Sequence, residues 1–473
     1  MALRLLKANL PSQLLHGQIK STILELALRQ SLSEKTAAVL AEQPRILALS
    51  VSIWNHEAAL ELLRALETEW AGSAQKPVII LGGPEITHLP VEADIFWFAN
   101  FVIRGEGETV FGDLCQAILE DSDKAKETYG KFIEGTEADL KKIKCAYDFY
   151  SDKDITHKLI YVESSRGCPY SCTFCQSAIN SLARTFPLEP FLENLDRLLQ
   201  RCCGKTKTIK FLDRSFNVHL TRAIAILEFC LLKINDAEEN NFQFHFEMIP
   251  SVFPEELRNM LMLFPPKTVR LEIGIQSLNP KTCALIHRTS NPEEELEVLT
   301  FLRKETNAIL HVDLIAGLPG EDMESFGKGV DRLWAALSSG NYSTENGTTD
   351  EWVVPFEIQI GILKYLPGTP VFAMAANGDF SVTYNKKPPY EVIETDCLPL
   401  ADMEKIKNFA RFWELIINRR SFPELLPRLI MPGKPVFTRF MDISQKLLER
   451  FGKNWGISKQ QLEDGIQSII NQA

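Results

Sequence analysis

Apolar residues occur along this chain in short runs that alternate with segments of helical periodicity. Near the N-terminus, residues 46–50, 77–81 and 101–103 form continuous apolar runs of strand length, and residues 56–70 repeat apolar positions at helical spacing. Glycines follow the second and third runs. Strands that alternate with helices in this way predict a doubly wound parallel α/β sheet, which binds ligands at the carboxyl ends of its strands.

A second series of strand-length runs begins after residue 157, and helix-length segments separate most of them. The runs lie at residues 159–162, 208–212, 242–247, 269–275, 310–315 and 356–363. Six such units in sequence predict a partial (β/α)6 barrel, in which functional residues lie just past the carboxyl ends of the strands.

The pattern divides the 473 residues into four regions, within the roughly two to four domains expected for this length. Residues 1–125 form the first α/β domain, and the charged segment 126–155, which loses the periodicity, is predicted to be a linker. The barrel occupies residues 156–385 and includes a polar insertion at 338–350. Residues 386–473 are predicted to form a helical C-terminal region.

Composition limits the classes of partner. Lys and Arg total 51, Asp and Glu total 62, the net charge is −11, and the chain has no basic run. Nucleic-acid binding requires a concentrated basic surface, so we expect no nucleic-acid partner. The N-terminus has no secretory pattern, and no apolar stretch reaches the roughly 20 residues that span a bilayer. The sequence therefore predicts a cytoplasmic protein without a membrane partner.

Three of the ten cysteines, Cys168, Cys172 and Cys175, lie together where the first barrel strand is predicted to end. Thiolates with this spacing on a loop can bind one side of a 4Fe-4S cluster and leave the fourth iron open to a cofactor. Two alternatives remain: a zinc site, which requires a fourth ligand, or unrelated buried cysteines. Ten cysteines are too few for a disulfide scaffold of this length.

A C-x-x-x-C-x-x-C loop that follows the first strand of a barrel, with Phe174 before its last cysteine, resembles the radical S-adenosylmethionine (SAM) superfamily. The resemblance implies that the cluster cleaves SAM reductively to a 5′-deoxyadenosyl radical. It implies SAM contacts from Phe174 and from residues at successive strand ends, namely Asp213, Glu247, Glu272, Gln276, Ser277 and Gly317. Asp213 stands where the superfamily usually carries a Gly-Gly-Glu-like motif near the SAM amino group, and Gly317 lies in the strand beside the adenine.

The first domain resembles the cobalamin-binding domains that precede such barrels. The resemblance implies cobalamin contacts from residues at the strand ends, namely Ser50, Ser52, Trp54, Gly82, Gly83, Glu85, Gly105, Glu106 and Gly107. Trp54 is expected to shield the lower face of the cofactor. The D-x-H-x-x-G motif is absent and His16 lacks its context, so the resemblance implies cobalt without a histidine ligand. With segment 388–392, nearly the whole chain resembles the cobalamin-dependent radical SAM superfamily with a DUF4080-type C-terminal region.

The resemblance implies an enzyme that uses a 4Fe-4S cluster, SAM and cobalamin. The leading hypothesis is a methyltransferase. In it, one SAM methylates cobalamin, a second SAM gives the radical that removes a substrate hydrogen, and methylcobalamin passes its methyl group to the resulting unactivated carbon. The alternative is a non-methylating cobalamin-dependent radical SAM cyclase, rearrangement or redox enzyme. No residue is assigned to catalysis itself.

Methylthiolation of transfer RNA is a third hypothesis. It predicts three further N-terminal cluster cysteines, whereas only Cys115 and Cys145 precede the triad. The expected partners are a small-molecule, peptide or protein substrate and an external electron donor such as flavodoxin or ferredoxin.

Overall fold

A computed structural model describes residues 1–12, 14, 19–73, 76–179, 182–205, 208–235, 242–338, 356–430 and 435–472. The chain forms two compact units. The first contains residues 1–157, 189–201 and 386–389, and the second contains residues 158–188, 202–385 and 390–473.

The first unit is built on a four-stranded parallel sheet. Its strands are β1 Ile46–Ser50, β2 Val78–Gly82, β3 Phe101–Gly105 and β4 Phe132–Gly135, which pair in chain order. Its helices are α1 Ala2–Ala8, α2 Leu32–Ala41, α3 His56–Glu69, α4 Pro84–His88, α5 Phe111–Glu120, α6 Ser122–Tyr129, α7 Asp152–His157 and most of α8 Leu188–Cys202, with 3-10 turns at Asp94–Phe98 and Tyr147–Phe149.

Helices cover both faces of this sheet because successive strand side chains point to opposite sides. Leu81 and Val102 pack with α3, α4 and the first 3-10 turn on one face. Ile80 and Phe101 pack with α5 and α6 on the other face. The expected α/β class with a parallel sheet covered on both faces is confirmed.

The segment 126–155, which the sequence analysis assigned to a linker, contains ordered elements of the first unit. It includes the second half of α6, all of β4 and most of α7. Strand β4 is only four residues long, and Ile133 is its single fully buried side chain. Such a short edge strand in a charged segment gives almost no alternating pattern. Hydrophobic periodicity therefore does not predict this strand.

The second unit is built on a six-stranded parallel sheet in the order β12-β11-β10-β9-β8-β5, as expected for a partial barrel. The strands are β5 Ile160–Val162, β8 Thr208–Phe211, β9 Gln243–Met248, β10 Val269–Gln276, β11 Ile309–Ala316 and β12 Phe356–Ile362. Two small antiparallel pairs accompany it, namely β6 Ser165–Arg166 with β7 Arg184–Thr185, and β13 Val382–Tyr384 with β14 Val392–Thr395.

Helices follow most barrel strands and then form the C-terminal region. They are α9 Leu220–Asn235, α10 Glu255–Met262, α11 Pro280–Leu285, α12 Pro292–Glu305, α13 Met323–Ser338, α14 Pro370–Ala376, α15 Leu400–Trp413, α16 Leu426–Leu429, α17 Val436–Phe451 and α18 Lys459–Gln472, with a π-helical turn at Glu414–Asn418 and 3-10 turns at Gln176–Ala178 and Phe216–Val218. Apart from Ser338, the polar insertion lies outside the described residues.

The C-terminal helices belong to the core of the second unit. The rings of Trp334 in α13 and Trp413 in α15 meet edge to face with centroids 5.5 Å apart. Phe409 in α15 also packs against Phe437 and Phe440 of α17. These aromatic contacts attach the helical region to a helix of the barrel.

The barrel strands alternate between buried and half-buried side chains. In β10 and β11 every second residue is fully buried, and the residues between them are less buried. The half-buried positions include Glu272 and His311, which are paired in the register of the two strands. This face of the sheet carries charged side chains, and the other face carries the apolar residues that pack in the core.

Candidate active site at the carboxyl end of the barrel

The three clustered cysteines lie in a loop that a small β-ladder closes at its base. Strand β6 follows two residues after β5 and pairs with β7, and this ladder holds the base of the cysteine loop together. Gly167 adopts φ +85°, and a Cβ there would collide with the backbone carbonyl of Leu182. Glycine is required at this position because both the conformation and the close approach exclude a side chain.

Backbone contacts from two other segments hold the middle of this loop. Thr173 N–H donates to the carbonyl of Ile286, just after α11, at 3.0 Å. The carbonyl of Thr173 accepts from Val371 N–H in α14 at 2.9 Å. Thr173 is fully buried. The cysteine loop is therefore fixed between the segments that follow β10 and β12.

The three thiols lie close enough for their charges to interact. Burial raises the pKa of Cys168 and Cys172, and the charge of Cys175 adds to both shifts. Within the described ranges, no three side chains of His, Cys, Asp or Glu converge tightly enough to bind one metal ion. A 4Fe-4S cluster does not require such convergence, because each cysteine binds a different iron. The thiols therefore fit a cluster better than a single zinc ion.

Arg288 is a charged residue beside this loop that the sequence analysis missed. It donates a hydrogen bond to Cys172, and its positive charge favours the thiolate, so it opposes the effect of burial on the pKa of that thiol. The Nη2 atom of Arg288 donates to the carbonyl of Gly274 at 2.6 Å and to Glu295 at 3.2 Å. Its Nε is buried without a hydrogen-bond partner in the described structure. The position lies between α11 and α12, away from the strand ends that the barrel pattern indicates.

Helix α12 sets the position of Glu295. Asn291 caps the helix by accepting from the backbone N–H of Glu293, and Pro292 occupies its first turn. Glu295 lies in that first turn with a side chain only 1% exposed. The caps therefore fix the buried carboxylate that contacts Arg288.

The carboxylate of Asp213 forms hydrogen bonds with the segment that precedes the cysteine loop. Its carboxylate accepts from the backbone N–H and the hydroxyl of Ser164, at 2.9 and 2.6 Å, and from the hydroxyl of Ser165 at 2.7 Å. Asp213 is 1% exposed, and burial raises its pKa against the effect of these bonds. The structure thus makes Asp213 the link between β8 and the start of the loop. It leaves Asp213 no exposed surface for the SAM contact suggested by the resemblance.

Glu247 and Glu272 are neighbours in the register of β9 and β10, and both contact cations. Lys210 Nζ lies 2.7 Å from Glu272 and 3.7 Å from Glu247. His245 Nε2 lies 3.0 Å from Glu272, and Arg214 lies 3.2 Å from Glu247. Bonds from His245 and Lys210 hold the pKa of Glu272 well below its usual range, although burial opposes them. Burial instead raises the pKa of Glu247, although Arg214 and Lys210 oppose this rise, so the two neighbouring carboxylates of this network differ in acidity.

The remaining predicted SAM residues differ in what surrounds them. Gln276 ends β10 at φ +69°, and its Oε1 is buried without a hydrogen-bond partner among the described residues. Ser277 is buried and its hydroxyl accepts from Asn279 N–H at 3.0 Å. Gly317 adopts φ +88°, and a Cβ there would meet Met403 of α15. Phe174 is half-buried in the loop. Gln276 is therefore the member of this set with a buried, unpaired acceptor among the described residues.

A second charged group lies across β10, β11 and β12. His311 Nδ1 lies 2.9 Å from Glu357 and its Nε2 lies 3.3 Å from Asp313. Arg270 contacts Glu357 at 2.5 Å. Bonds to the two carboxylates raise the pKa of His311 to about 9, although burial acts in the opposite direction. The members of this group come from three separate strands, so no local sequence pattern indicates it.

Comparison with protein families identifies the barrel. Residues 162–333, which contain the cysteine loop, match the model of the radical SAM superfamily. Over these residues the barrel of the chain is similar to the radical SAM superfamily. A radical SAM domain implies a 4Fe-4S cluster and SAM as cofactors, which agrees with the expectation from the sequence.

Curated relatives and solved structures extend the similarity beyond the radical SAM barrel. The chain is 24% identical over 334 residues to 2-(S-pantetheinyl)-carbapenam-3-carboxylate methyltransferase of Streptantibioticus cattleyicolor, covering 63% of this chain and 46% of that protein. It therefore spans about half the length of this relative. The cobalamin-dependent enzyme OxsB, solved with aqua-cobalamin and SAM, aligns with 99% of this chain and 72% of its own at 17% identity and a TM-score of 0.64.

A second solved structure has the same fold. TsrM from Kitasatospora setae, solved with cobalamin and a [4Fe-4S] cluster, aligns with 82% of this chain and 75% of its own at 16% identity and a TM-score of 0.58. These similarities confirm the fold class and the resemblance to cobalamin-dependent radical SAM proteins. No helix among the described residues is both long and apolar enough to cross a membrane.

The carboxyl end of the parallel sheet in the first unit is partly exposed. Trp54 follows β1 and its side chain is 70% exposed. Gly82 ends β2, and a Cβ there would meet only the carbonyl of Ile103, at an ordinary 3.6 Å. Ser50 is half-buried at the end of β1, and Ser52 is buried. Trp54 is thus exposed at the carboxyl end of this sheet, and a Cβ on Gly82 would meet no steric clash there.

The other residues predicted to contact cobalamin serve the protein's own packing. Gly83 has φ +109°, and a Cβ there would collide with the backbone of Val51. Glu85 is 2% exposed, and its carboxylate lies 3.0 Å from His56 Nδ1. Glu85 is therefore not exposed at the carboxyl end of the sheet.

The segment after β3 is also engaged within the first unit. A Cβ on Gly105 would lie 2.8 Å from the carbonyl of Gly135, and one on Gly107 would lie 3.2 Å from Leu6. The Glu106 carboxylate accepts from Ala138 N–H at 2.8 Å. His16 lies outside the described residues.

Proposed function

We propose that this protein is a cobalamin-dependent radical SAM methyltransferase that transfers a methyl group to an unactivated carbon. The observation that carries the proposal is the closed loop in which Cys168, Cys172 and Cys175 interact beside the buried cation Arg288. The similarity to a carbapenam methyltransferase supports methyl transfer, and the folds of OxsB and TsrM support a cobalamin-binding first unit.

In this proposal the barrel residues have separate roles. Cys168, Cys172 and Cys175 hold the cluster. Arg288 binds the SAM carboxylate, because a guanidinium with an unsatisfied buried Nε has a donor left for an anion. Gln276 Oε1, the unpaired acceptor at the end of β10, accepts from the SAM amino group. Asp213 acts indirectly by fixing Ser164 and Ser165 ahead of the loop.

In the first unit, we assign cobalamin to the carboxyl edge at residues 50–54 and Gly82. Trp54 offers a broad apolar face, and Gly82 leaves space for the tail of the cofactor. When bound, the cluster supplies the electron for SAM cleavage, and cobalamin carries the methyl group. The protein binds and orients these groups and excludes water from the radical.

Two other functions are less well supported. A non-methylating cyclase, rearrangement or redox reaction would use the same cofactors, and only product analysis separates it from methyl transfer. Methylthiolation is disfavoured because it predicts further N-terminal cluster cysteines. Of the two that precede the triad, Cys115 is buried in an apolar cluster, and burial raises its pKa to about 12. Such a thiol is a poor ligand.

The partners follow from the proposed chemistry. The substrate class is a small molecule, with a peptide or protein as an alternative. Radical SAM cleavage consumes one electron, so we propose an external donor such as flavodoxin or ferredoxin.

Turnover with methyl-labelled SAM tests the proposal. The reconstituted, cobalamin-loaded protein with reductant and a cell extract as the source of substrate should form both S-adenosylhomocysteine and 5′-deoxyadenosine, with label in a third product. Converted substrate with 5′-deoxyadenosine but no label and no S-adenosylhomocysteine would replace methyl transfer with the non-methylating alternative.

A further inference from the structure

An exposed guanidinium stands among buried groups near the third cysteine. Arg214 lies three residues past the end of β8, and its side chain is 56% exposed. Its chain neighbours Asp213 and Ser215 are both buried. The carboxylate of Glu247, which it contacts, is only 16% exposed. Arg214 is therefore an exposed cation between buried residues at the carboxyl end of the barrel, where barrel sites form.

The contacts of Arg214 leave most of its donors available. Its Nη1 atom lies 3.2 and 3.3 Å from the two oxygens of Glu247. Within the part of the chain that the structure describes, Nε and Nη2 make no hydrogen bond to protein. Glu247 therefore fixes one arm of the guanidinium and leaves the fork formed by Nε and Nη2 open. Such a fork matches the two oxygens of a carboxylate or phosphate.

Arg214 lies beside the cysteine loop, because its chain neighbour Asp213 accepts hydrogen bonds from Ser164 and Ser165, which precede the loop. Glu247 contributes most to raising the pKa of Arg214, and the nearby charges of Cys175 and Glu272 add to the effect. Arg288 instead acts on Cys172 and Cys168. Two cations thus stand at different cysteines of one loop. SAM has a single carboxylate, which the proposed function assigns to the more buried Arg288.

We propose that Arg214 binds a carboxylate or phosphate of the substrate and so positions the substrate carbon near the cluster. This inference rests on the proposed function for the identity of the reaction, and it adds the substrate class: a molecule that carries an anionic group close to the carbon that reacts.

Arginine labelling tests this inference on the full, cluster-reconstituted chain with SAM bound. Phenylglyoxal should modify Arg214, and mass spectrometry of the peptides should show that inorganic phosphate or malonate slows this modification by about threefold or more. Arg419 is the matched control, because its side chain is 57% exposed and it pairs with Glu414 at 2.9 Å. Its labelling should not change. The more protective of the two anions identifies the preferred group.

Equilibrium dialysis with radioactive phosphate gives a second measurement. Arg214→Gln should abolish most phosphate binding, Arg214→Lys should retain part of it, and Arg419→Gln should bind as the unchanged protein does. Iron analysis confirms that each variant still carries its cluster.

Two results would overturn the inference. One is equal labelling of Arg214 with and without phosphate and malonate. The other is protection by SAM alone with no further effect of either anion, which would assign Arg214 to SAM. Neither measurement depends on methyl transfer, so a failure of the proposed function would be seen separately, in the turnover products.

Discussion

The cysteine loop of the second unit and the strand ends of the first unit both depend on glycines at close backbone approaches, but the approaches have different consequences. Gly167 lets the loop close on itself, and the closed loop brings three thiols together. Gly83 and Gly105 let turns pack against neighbouring backbone, and no ligand-binding side chain is brought forward. A close backbone approach at a glycine therefore does not by itself indicate a binding site, whereas at Gly82 a Cβ would make only an ordinary contact of 3.6 Å.

The largest effect is expected on iron content, when a cysteine of the loop in the second unit is replaced. Cys172→Ala should remove the cluster, because each cysteine binds its own iron and the loop has no spare thiol. Iron analysis after anaerobic reconstitution should fall from about four atoms per chain to a small fraction, and 5′-deoxyadenosine should disappear. Cys397→Ala is the control, because Cys397 is exposed and lies outside the loop. Unchanged iron in Cys172→Ala would remove the basis of the proposed cluster site.

The first unit offers a matched pair of glycines. Gly83→Val combines a strained φ of +109° with a collision against Val51, so it should destabilise the protein by about 3 kcal/mol or more. Gly82→Val should change stability by less than about 1 kcal/mol but should reduce the retention of hydroxocobalamin. Thermal unfolding and the bound cobalamin per chain measure the two effects. Full cobalamin retention in a folded Gly82→Val protein would contradict the open-edge site.

Sequence patterns predicted the two parallel sheets, all six barrel strands and the cysteine loop, because each depends on local spacing. The structure places β10 at Val269–Gln276, close to the run 269–275 expected from apolar periodicity. The patterns missed contacts that depend on three-dimensional proximity. Arg288 lies far in sequence from Cys172, and the buried positions of Asp213 and Glu85 depend on partners from other segments. Strand ends indicate where ligands bind, but not which polar residues are left exposed there.

The contacts of Arg288 in the barrel predict an effect on the affinity for SAM. Arg288→Gln should weaken SAM binding by about 1.5–3 kcal/mol, the usual value of a hydrogen bond to a charged group, and should leave the iron content unchanged. Equilibrium binding of SAM to the reconstituted protein measures it. Arg332→Gln is the control, since Arg332 pairs with Glu293 on the surface. Loss of iron together with SAM binding would instead assign Arg288 to the stability of the loop.

The charged group around His311 predicts that the stability of the second unit depends on pH. The first unit should not show this dependence. Bonding to Asp313 and Glu357 raises the pKa of His311 to about 9, above its ordinary value of 6.5, and Arg270 opposes the rise. The resulting stability is complete below about pH 6.5 and is lost as the pH rises through about 9, with an upper limit of about 3 kcal/mol. His311→Gln should flatten the fall in unfolding temperature between pH 7 and about 10. An unchanged profile would show that His311 is not charged in the folded protein.

The smallest effect on stability is expected at Trp54, where the first unit exposes an aromatic side chain at the open edge of its sheet. A side chain that is 70% exposed contributes little to folding, so Trp54→Ala should change the free energy of unfolding by less than about 0.5 kcal/mol. The same change should lower cobalamin retention severalfold, because the indole is proposed to cover the lower face of the cofactor. Trp97→Ala is the matched control, since Trp97 is 78% exposed in the same unit but lies in the 3-10 turn Asp94–Phe98. Paramagnetic resonance of the cobalt(II) form should show no nitrogen splitting from a lower ligand in either protein. Equal cobalamin retention by the two variants would mean that Gly82 and Ser50 define the site without Trp54. A nitrogen-split spectrum would contradict the absence of a histidine ligand to cobalt.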